Sequence, residues 1–258
     1  MTLWTDSVVA ITGASSGIGR AFALHVAARG ARVAAFDRSA EGLDALRAEL
    51  DDEDRLLAVA GDVTDADAAT AFIQATVDRF GRLDILLNNA GITHIAPFDE
   101  TPTERIERVL DVNVMGSIHT TRAAGPHLRA SRGQVGVIGS VTSYSPLLYR
   151  TAYTASKHAV MGFFSSLRGE WAEHGIHVLI ACPSFVRTDL QTHQQRYFTT
   201  SSEGALDPAH VARSLATGFE RRRRLVLIGA TARKAWWASR FFPRLYERIM
   251  LRRMTVSS

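Results

Sequence analysis

The chain has 258 residues, 46% of them apolar, which supplies a sizeable core and excludes a disordered chain. A single cysteine, Cys182, excludes an internal disulfide framework and fits a reducing compartment, so a cytoplasmic location is expected. The net charge of +4 is unevenly spread: from Arg221 onward ten Arg and one Lys face one Glu, whereas the residues before it hold 19 basic and 25 acidic side chains.

Only seven residues precede the first apolar run, so no signal peptide is expected, and no run of about 18 apolar residues suggests a spanning helix. That first run, 7–11 (SVVAI), reads as a strand and leads into Thr12-Gly13-Ala14-Ser15-Ser16-Gly17-Ile18-Gly19 and a helix over 17–29. Glycines let a backbone approach a pyrophosphate, and a helix N-terminus adds free N–H groups and partial positive charge. Gly13, Ser15, Ser16, Gly17, Ile18 and Gly19 are therefore candidate nucleotide contacts, with an ordinary glycine-rich turn as the plainer alternative. A second strand, 32–36, ends at Asp37 and Arg38 before a helix over 41–50. A carboxylate there suits ribose hydroxyls and repels a 2′-phosphate, favouring NAD over NADP, although Arg38 is able to pair with such a phosphate.

The third strand, 56–60, is followed by Asp62 and Val63 and a helix over 65–80. Asp62, Thr64 and Asp65 all qualify as its cap. The fourth, 84–88, ends in Asn88-Asn89-Ala90-Gly91, two amides and a glycine where backbone can lie against a planar ring. A long helix over 103–130 carries Asn113 among apolar neighbours, an amide that costs helix propensity. The fifth strand, 135–139, ends at Ser140; a loop then leads to a helix over 150–174 bearing Tyr153 and Lys157 on one face. A sixth strand, 177–181, precedes Pro183, Val186 and Thr188, and a helix over 208–222 and a last strand, 225–229, follow. Strand-then-helix repetition with unbroken apolar strands predicts a doubly wound, all-parallel α/β sheet of seven strands in a single domain. Ligands of such sheets bind beyond the carboxyl ends of the strands, where these polar residues cluster.

The ordered set Thr12-Gly13-x-x-x-Gly17-x-Gly19, Asp62, Asn88-Asn89-Ala90-Gly91, Asn113, Ser140, Tyr153-x-x-x-Lys157 and the 183–188 segment resembles the short-chain dehydrogenases/reductases of about this length. The likeness spans roughly residues 5–230, and the segments 97–102, 126–134 and 153–170 lean toward hydroxysteroid- and retinol-type and related bacterial members. It implies a Rossmann-type fold and an NAD(P)-dependent oxidoreductase acting on CH–OH groups. Asn113, Ser140, Tyr153 and Lys157 would then be catalytic. The cofactor would be held by the Gly13–Gly19 residues named above, Asp37, Arg38, Asp62, Val63, Asn89, Ala90, Gly91, Tyr153, Lys157, Pro183, Val186 and Thr188. A homodimer or homotetramer is implied as well. One position departs from the pattern: Ser184 stands where the family has glycine, which puts the local backbone in question.

A phenol of pKa about 10 would need lowering by ~3 units to act near neutrality, and Lys157 with a positive nicotinamide ring would favour the anion. Ile92 to Phe98, Ser145 to Tyr149 and Asp189 to Leu206, with Phe185, Tyr197 and Phe198, outline an apolar substrate pocket, favouring a lipophilic alcohol or ketone. Residues 191–204 read as a lid or an idle surface loop. Nine scattered histidines give no metal-ligand spacing, so no metal is expected. The unit 1–230 is followed by a basic, aromatic helical extension, 231–258, with three open readings: a subunit interface, a membrane-surface helix, or a flap over the site. A non-catalytic NAD sensor on the same fold has no use for the proton-transfer groups. A methyltransferase has none for Tyr153 and Lys157, and nucleic-acid binding lacks a module beyond the tail's charge.

Overall fold

The computed structural model describes residues 2–188 and 205–254, with side chains up to residue 249. The proposed lid at 191–204, with Tyr197 and Phe198, lies outside the described residues.

Seven strands form one parallel sheet: β1 (Val8–Thr12), β2 (Arg32–Asp37), β3 (Leu56–Ala60), β4 (Ile85–Asn88), β5 (Gln134–Ile138), β6 (His177–Pro183) and β7 (Leu225–Ile228). Their order is β3-β2-β1-β4-β5-β6-β7. Every residue of β1, β4 and β5 is buried, as expected of strands covered on both faces. One face is covered by α1 (Gly17–Ala27), α2 (Ala40–Leu50) and α7 (Pro208–Glu220), whose Phe22, Leu46 and Phe219 pack on Val9, Ile11 and Leu179. The other is covered by α3 (Ala66–Phe80), α4 (Thr103–Leu110), α5 (Gly116–Ser131) and α6 (Thr151–Ala172), with Phe72, Leu128 and Phe164 set against Val8, Leu86 and Val178. The chain reverses its winding between β1 and β4, and that switch point opens a crevice beyond the strand ends.

The expected helix over 103–130 is not continuous. A π-helical turn, Asp111–Met115, separates α4 from α5 and carries Asn113. Such insertions re-aim side chains within a helix and often mark functional positions. The C-terminal extension forms α8 (Ala230–Phe241) and α9 (Pro243–Met254), divided at Pro243, which cannot continue α8. The α8 helix packs on the loop after β5: Tyr144 Oη donates to Ala232 O at 2.9 Å, Ser145 Oγ donates to Ala235 O at 3.2 Å, and Trp236 meets Tyr144 edge-on. The tail's apolar residues thus do not share one face. Trp236 turns inward, while Trp237, Phe241, Phe242, Leu245 and Ile249 stay exposed. No helix among the described residues is long and apolar enough to cross a membrane.

Candidate active site

The crevice, about 780 Å³, is bounded on one side by the turn after β1. Gly13 and Gly17 adopt φ of +66° and +53°, a backbone that favours glycine. A Cβ on Gly13 would come within 2.9 Å of the Ala90 nitrogen, and one on Gly17 within 3.0 Å of Thr188 Cγ2. Side chains cap α2 (Ser39), α3 (Asp65) and α7 (Asp207), but Ser16 makes no cap bond to α1. The first N–H groups of α1 therefore point at the crevice without a side-chain acceptor, a setting that suits an anion. Gly13, Ser15, Ser16, Gly17 and Ile18 line this wall. Gly19 does not: it is buried, and a Cβ there would overlap the Gly13 carbonyl, so it serves the close packing of turn on helix.

Asp37 ends β2 with both carboxylate oxygens used, Oδ2 accepting from Ser15 N at 3.1 Å and Oδ1 from Ser39 N at 3.0 Å. Arg38 lies exposed at the rim, 4.0 Å from Asp62. Asp62 does not cap α3, a role taken by Asp65. Burial opposes its ionisation, yet hydrogen bonds from Thr64 and Arg108 hold its carboxyl below the usual carboxylate range. Arg108, on α4, donates to Asp62 at 2.7 Å and is a crevice residue that sequence reading missed. The Asn88–Gly91 segment works mainly as a brace. Asn88 bonds Thr120 and Thr121 of α5, and Asn89 Nδ2 donates to the carbonyls of Thr12 and Gly13 at 3.0 and 2.8 Å. The Asn89 amide nitrogen is thereby committed to the protein, while Asn89, Ala90 and Gly91 together line the crevice floor.

Opposite stand Ser140, Tyr153 and Lys157. Ser140 Oγ accepts from Thr142 N at 3.2 Å and its side chain hydrogen-bonds Tyr153. Lys157 Nζ donates to Ile138 O at 2.8 Å and lies 5.6 Å from the Tyr153 ring centroid. Asn113 does not line the crevice. Its Oδ1 accepts from Ile92 N at 2.8 Å, and its Nδ2 donates to Ile92 O at 3.0 Å and Ser156 Oγ at 2.9 Å. Its amide fixes the segment after β4 against α6.

The electrostatics of the pair differ from the expected lowering of the phenol. Burial pushes Tyr153 above its usual pKa, opposed by the Arg150 guanidinium and the Ser140 hydrogen bond. Burial likewise lowers Lys157 from 10.5 to about 8. Without a further positive charge, the dry site favours neutral forms of both. The lysine shift has a consequence for stability. Below pH 8 the folded protein carries a buried ammonium that the unfolded chain solvates freely, and above 10.5 neither state is charged. Stability should therefore rise across that window. Relative to Lys157→Met, wild type is expected to gain about 3 kcal/mol between pH 8 and 10.5 in denaturant titrations. A difference that stays constant with pH contradicts a depressed Lys157.

Pro183, Val186 and Thr188 close the crevice after β6. Ser184, in place of the family's glycine, is not among the residues of positive φ, so no left-handed backbone is needed there. Room for its side chain comes from Gly229, where a Cβ would come within 2.6 Å of Ser184 Oγ. A second missed residue is Arg150. It is only 4% exposed and lines the crevice one helical turn before Tyr153. Among the described residues no group of three His, Cys, Asp or Glu side chains converges as a metal site.

Comparison with known proteins matches residues 7–197 to the sequence model of a family described as short chain dehydrogenase. The 11-beta-hydroxysteroid dehydrogenase-like 2 of Arabidopsis thaliana is 39% identical over 194 residues, 74% of this chain and 62% of that protein. The chain thus spans about six tenths of that curated relative's length. A 3-ketoacyl-(acyl-carrier-protein) reductase from Brucella melitensis, crystallised with NADH, superposes with a TM-score of 0.80 at 28% identity, over 87% of this chain and 97% of that one. A short-chain dehydrogenase from Streptomyces avermitilis superposes with a TM-score of 0.82 at 30% identity, over 98% and 99% of the two chains.

Proposed function

The chain belongs to the short-chain dehydrogenase family, and on that footing we propose that it transfers hydride between a nicotinamide dinucleotide and a secondary alcohol or ketone with an apolar body. The observation that carries this reading is the convergence of Ser140, Tyr153 and Lys157 on one crevice wall, facing the Gly13–Ile18 turn and the uncapped α1 N-terminus.

The crevice fits the dinucleotide. Its pyrophosphate would rest on the N–H groups that open α1, its adenosine ribose on Asp37, its nicotinamide ribose on Lys157 and Tyr153, and its carboxamide beside Val186 and Thr188. Arg38 and Val63 would flank the adenine end, and the Ala90–Gly91 backbone would lie against the dinucleotide. NAD is the favoured form, because a 2′-phosphate would meet the fixed Asp37 carboxylate. When bound, the cofactor supplies the hydride chemistry, and the protein does the rest. Tyr153 Oη passes the proton to or from the substrate oxygen, Ser140 Oγ holds that oxygen, and Lys157 steadies the ribose and stabilises the phenolate. Val141, Leu147 and Phe185 give the substrate end apolar walls. In this reading residues 1–230 are the reacting unit and 231–258 its C-terminal extension, whose α8 packs on the loop after β5.

The test is ketone-dependent loss of reduced-nicotinamide absorbance with NADH and NADPH side by side. Turnover that is faster with NADH supports the reading, and failure to bind either dinucleotide contradicts it.

The extension has a second role in this reading: peripheral contact with an anionic membrane. Exposed Trp237, Phe241, Phe242, Leu245 and Ile249 are interleaved with exposed Arg233, Lys234, Arg240, Arg244 and Arg248. Pairing this face with its own copy would bring like charges together, whereas acidic headgroups neutralise them. The protein is expected to co-sediment with vesicles of mixed phosphatidylglycerol and phosphatidylcholine, and the triple variant Trp237→Ser/Phe241→Ser/Phe242→Ser is not. A homodimer or homotetramer that falls apart in the triple variant, with no vesicle binding by wild type, would assign the face to self-association instead.

A further inference from the structure

Resting on the oxidoreductase reading, we propose that Ser143, which stands behind the crevice wall, is the positioning residue that aims the Ser140 hydroxyl at the reacting oxygen. Ser140 leaves β5 in extended backbone, φ −162° and ψ 169°, and opens a short 3-10 turn, Val141–Ser143. Ser140, Val141 and Thr142 line the crevice. Ser143 is only 3% exposed and is not part of that lining.

Ser143 engages both main-chain groups of Ser140. The Ser140 N–H donates to Ser143 Oγ at 3.1 Å, and the Ser140 carbonyl accepts from Ser143 N at 3.0 Å. The two residues close a reciprocal capping box, here on a turn of three residues. Ser140 Oγ meanwhile accepts from Thr142 N at 3.2 Å. A serine hydroxyl has one hydrogen to give, and with the backbone already donating to its oxygen, that hydrogen is left for Tyr153 or for a substrate oxygen set between them. Removing Ser143 Oγ would leave the Ser140 N–H without its hydroxyl acceptor and unlock the turn that sets this direction.

The support continues into the sheet. Cys182 of β6 is fully buried, and its thiol meets the Ser143 hydroxyl and the Ser140 main-chain N–H. Burial pushes that thiol up to about 12, so it remains a neutral partner beneath the site near neutrality. Gly139 leaves the room: a Cβ there would come within 2.9 Å of both Cys182 Sγ and Ser143 Oγ. Its N–H donates to Ala181 O at 2.8 Å, which carries the β5–β6 ladder up to the residue before Ser140. The Ser140 hydroxyl is thereby referenced to the packed sheet and not to the loop that follows it.

The test is a double-mutant cycle on Ser140→Ala, Ser143→Ala and the pair, reading acetophenone reduction with NADH and 1-phenylethanol oxidation with NAD. Ser143→Ala is expected to lower kcat by about 10-fold, the range of one hydrogen bond, with NADH affinity unchanged. Its pH–rate profile in oxidation should move to higher pH, as in Ser140→Ala, because the Ser140 hydrogen bond favours the Tyr153 phenolate. In the Ser140→Ala background, Ser143→Ala should add no further loss, since its effect passes through the missing hydroxyl. Ser143→Cys nearly keeps the volume and offers a poor acceptor, so it should repeat the pattern more weakly, and it serves if Ser143→Ala does not fold. Phenolate absorbance of the NAD complex, each enzyme minus its Tyr153→Phe counterpart, titrates Tyr153 without turnover and should show the same upward move. Losses that add in the pair overturn the proposal, because Ser143 would then serve only the fold. So does a folded Ser143→Ala enzyme with wild-type kcat and pH profile. Absent NADH binding, with no ketone reduced, removes the oxidoreductase reading and this proposal with it; NADH binding with additive losses removes this proposal alone.

Discussion

Replacing Tyr153 by Phe is expected to lower kcat by about 10³-fold while weakening NADH binding by no more than about tenfold, the worth of one hydrogen bond to the nicotinamide ribose. The substitution removes one hydroxyl and keeps the ring, so packing at this buried position is preserved. What disappears is the only described hydroxyl in the site that is coupled both to Ser140 and to the cations Arg150 and Lys157. Positioned proton transfer typically contributes 10²–10⁴-fold, and hydride transfer to a ketone stalls if the developing alkoxide receives no proton. The raised pKa of Tyr153 adds a condition. Burial favours the neutral phenol, the form needed to donate a proton during reduction. Oxidation needs the phenolate, so its rate should climb with pH well above neutrality, whereas reduction should not. Steady-state kinetics in both directions check this. A Tyr153→Phe enzyme that keeps more than about a tenth of wild-type kcat contradicts the assignment.

The second large effect concerns cofactor choice. Asp37→Ser is expected to shift the NADH-to-NADPH ratio of kcat/KM by about 10²-fold toward NADPH. The carboxylate is not free to swing aside, because Ser15 N and Ser39 N hold its two oxygens. A 2′-phosphate brought against it would meet a fixed negative charge. At about 4 Å and an effective dielectric near 20, that repulsion is on the order of 4 kcal/mol, and partial exposure reduces it to about 3 kcal/mol. Removing the charge also lets exposed Arg38 pair with the phosphate, weakening its distant contact with Asp62. Preference measured with both dinucleotides across wild type and variant decides the matter. An unchanged ratio would mean that Asp37 serves only the turn it braces.

The sheet was legible because apolar runs and the polar residues that end them are local features. Residues 32–36 and 56–60 announce strands without knowledge of their neighbours, and the glycines after β1 announce a close approach. Contacts between distant residues were not legible. Asn113 sits in a run that reads as ordinary helix, and only the fold shows its amide spent on Ile92 and Ser156, which makes a π-helical turn tolerable. Asn89 looks like a ligand group until Thr12 and Gly13 claim its amide. Arg150 opens the helix expected over 150–174, and its spacing to Tyr153 and Lys157 was a signal available in the sequence. The direction of the Tyr153 shift was missed for a related reason. Proximity of an ammonium is visible in Tyr-x-x-x-Lys, but the burial that raises the phenol against Arg150 and the Ser140 hydrogen bond is a property of the packed chain.

The most direct measurement of the central claim is single-turnover reduction of a ketone by NADH carrying deuterium at the nicotinamide C4. The account predicts that the label appears on the carbinol carbon of the product, with a primary isotope effect on the burst, and that Tyr153→Phe suppresses the burst without releasing NADH. Label that stays on the nucleotide or washes into water, or an equally fast burst in the variant, would contradict hydride transfer governed by the Tyr153 hydroxyl.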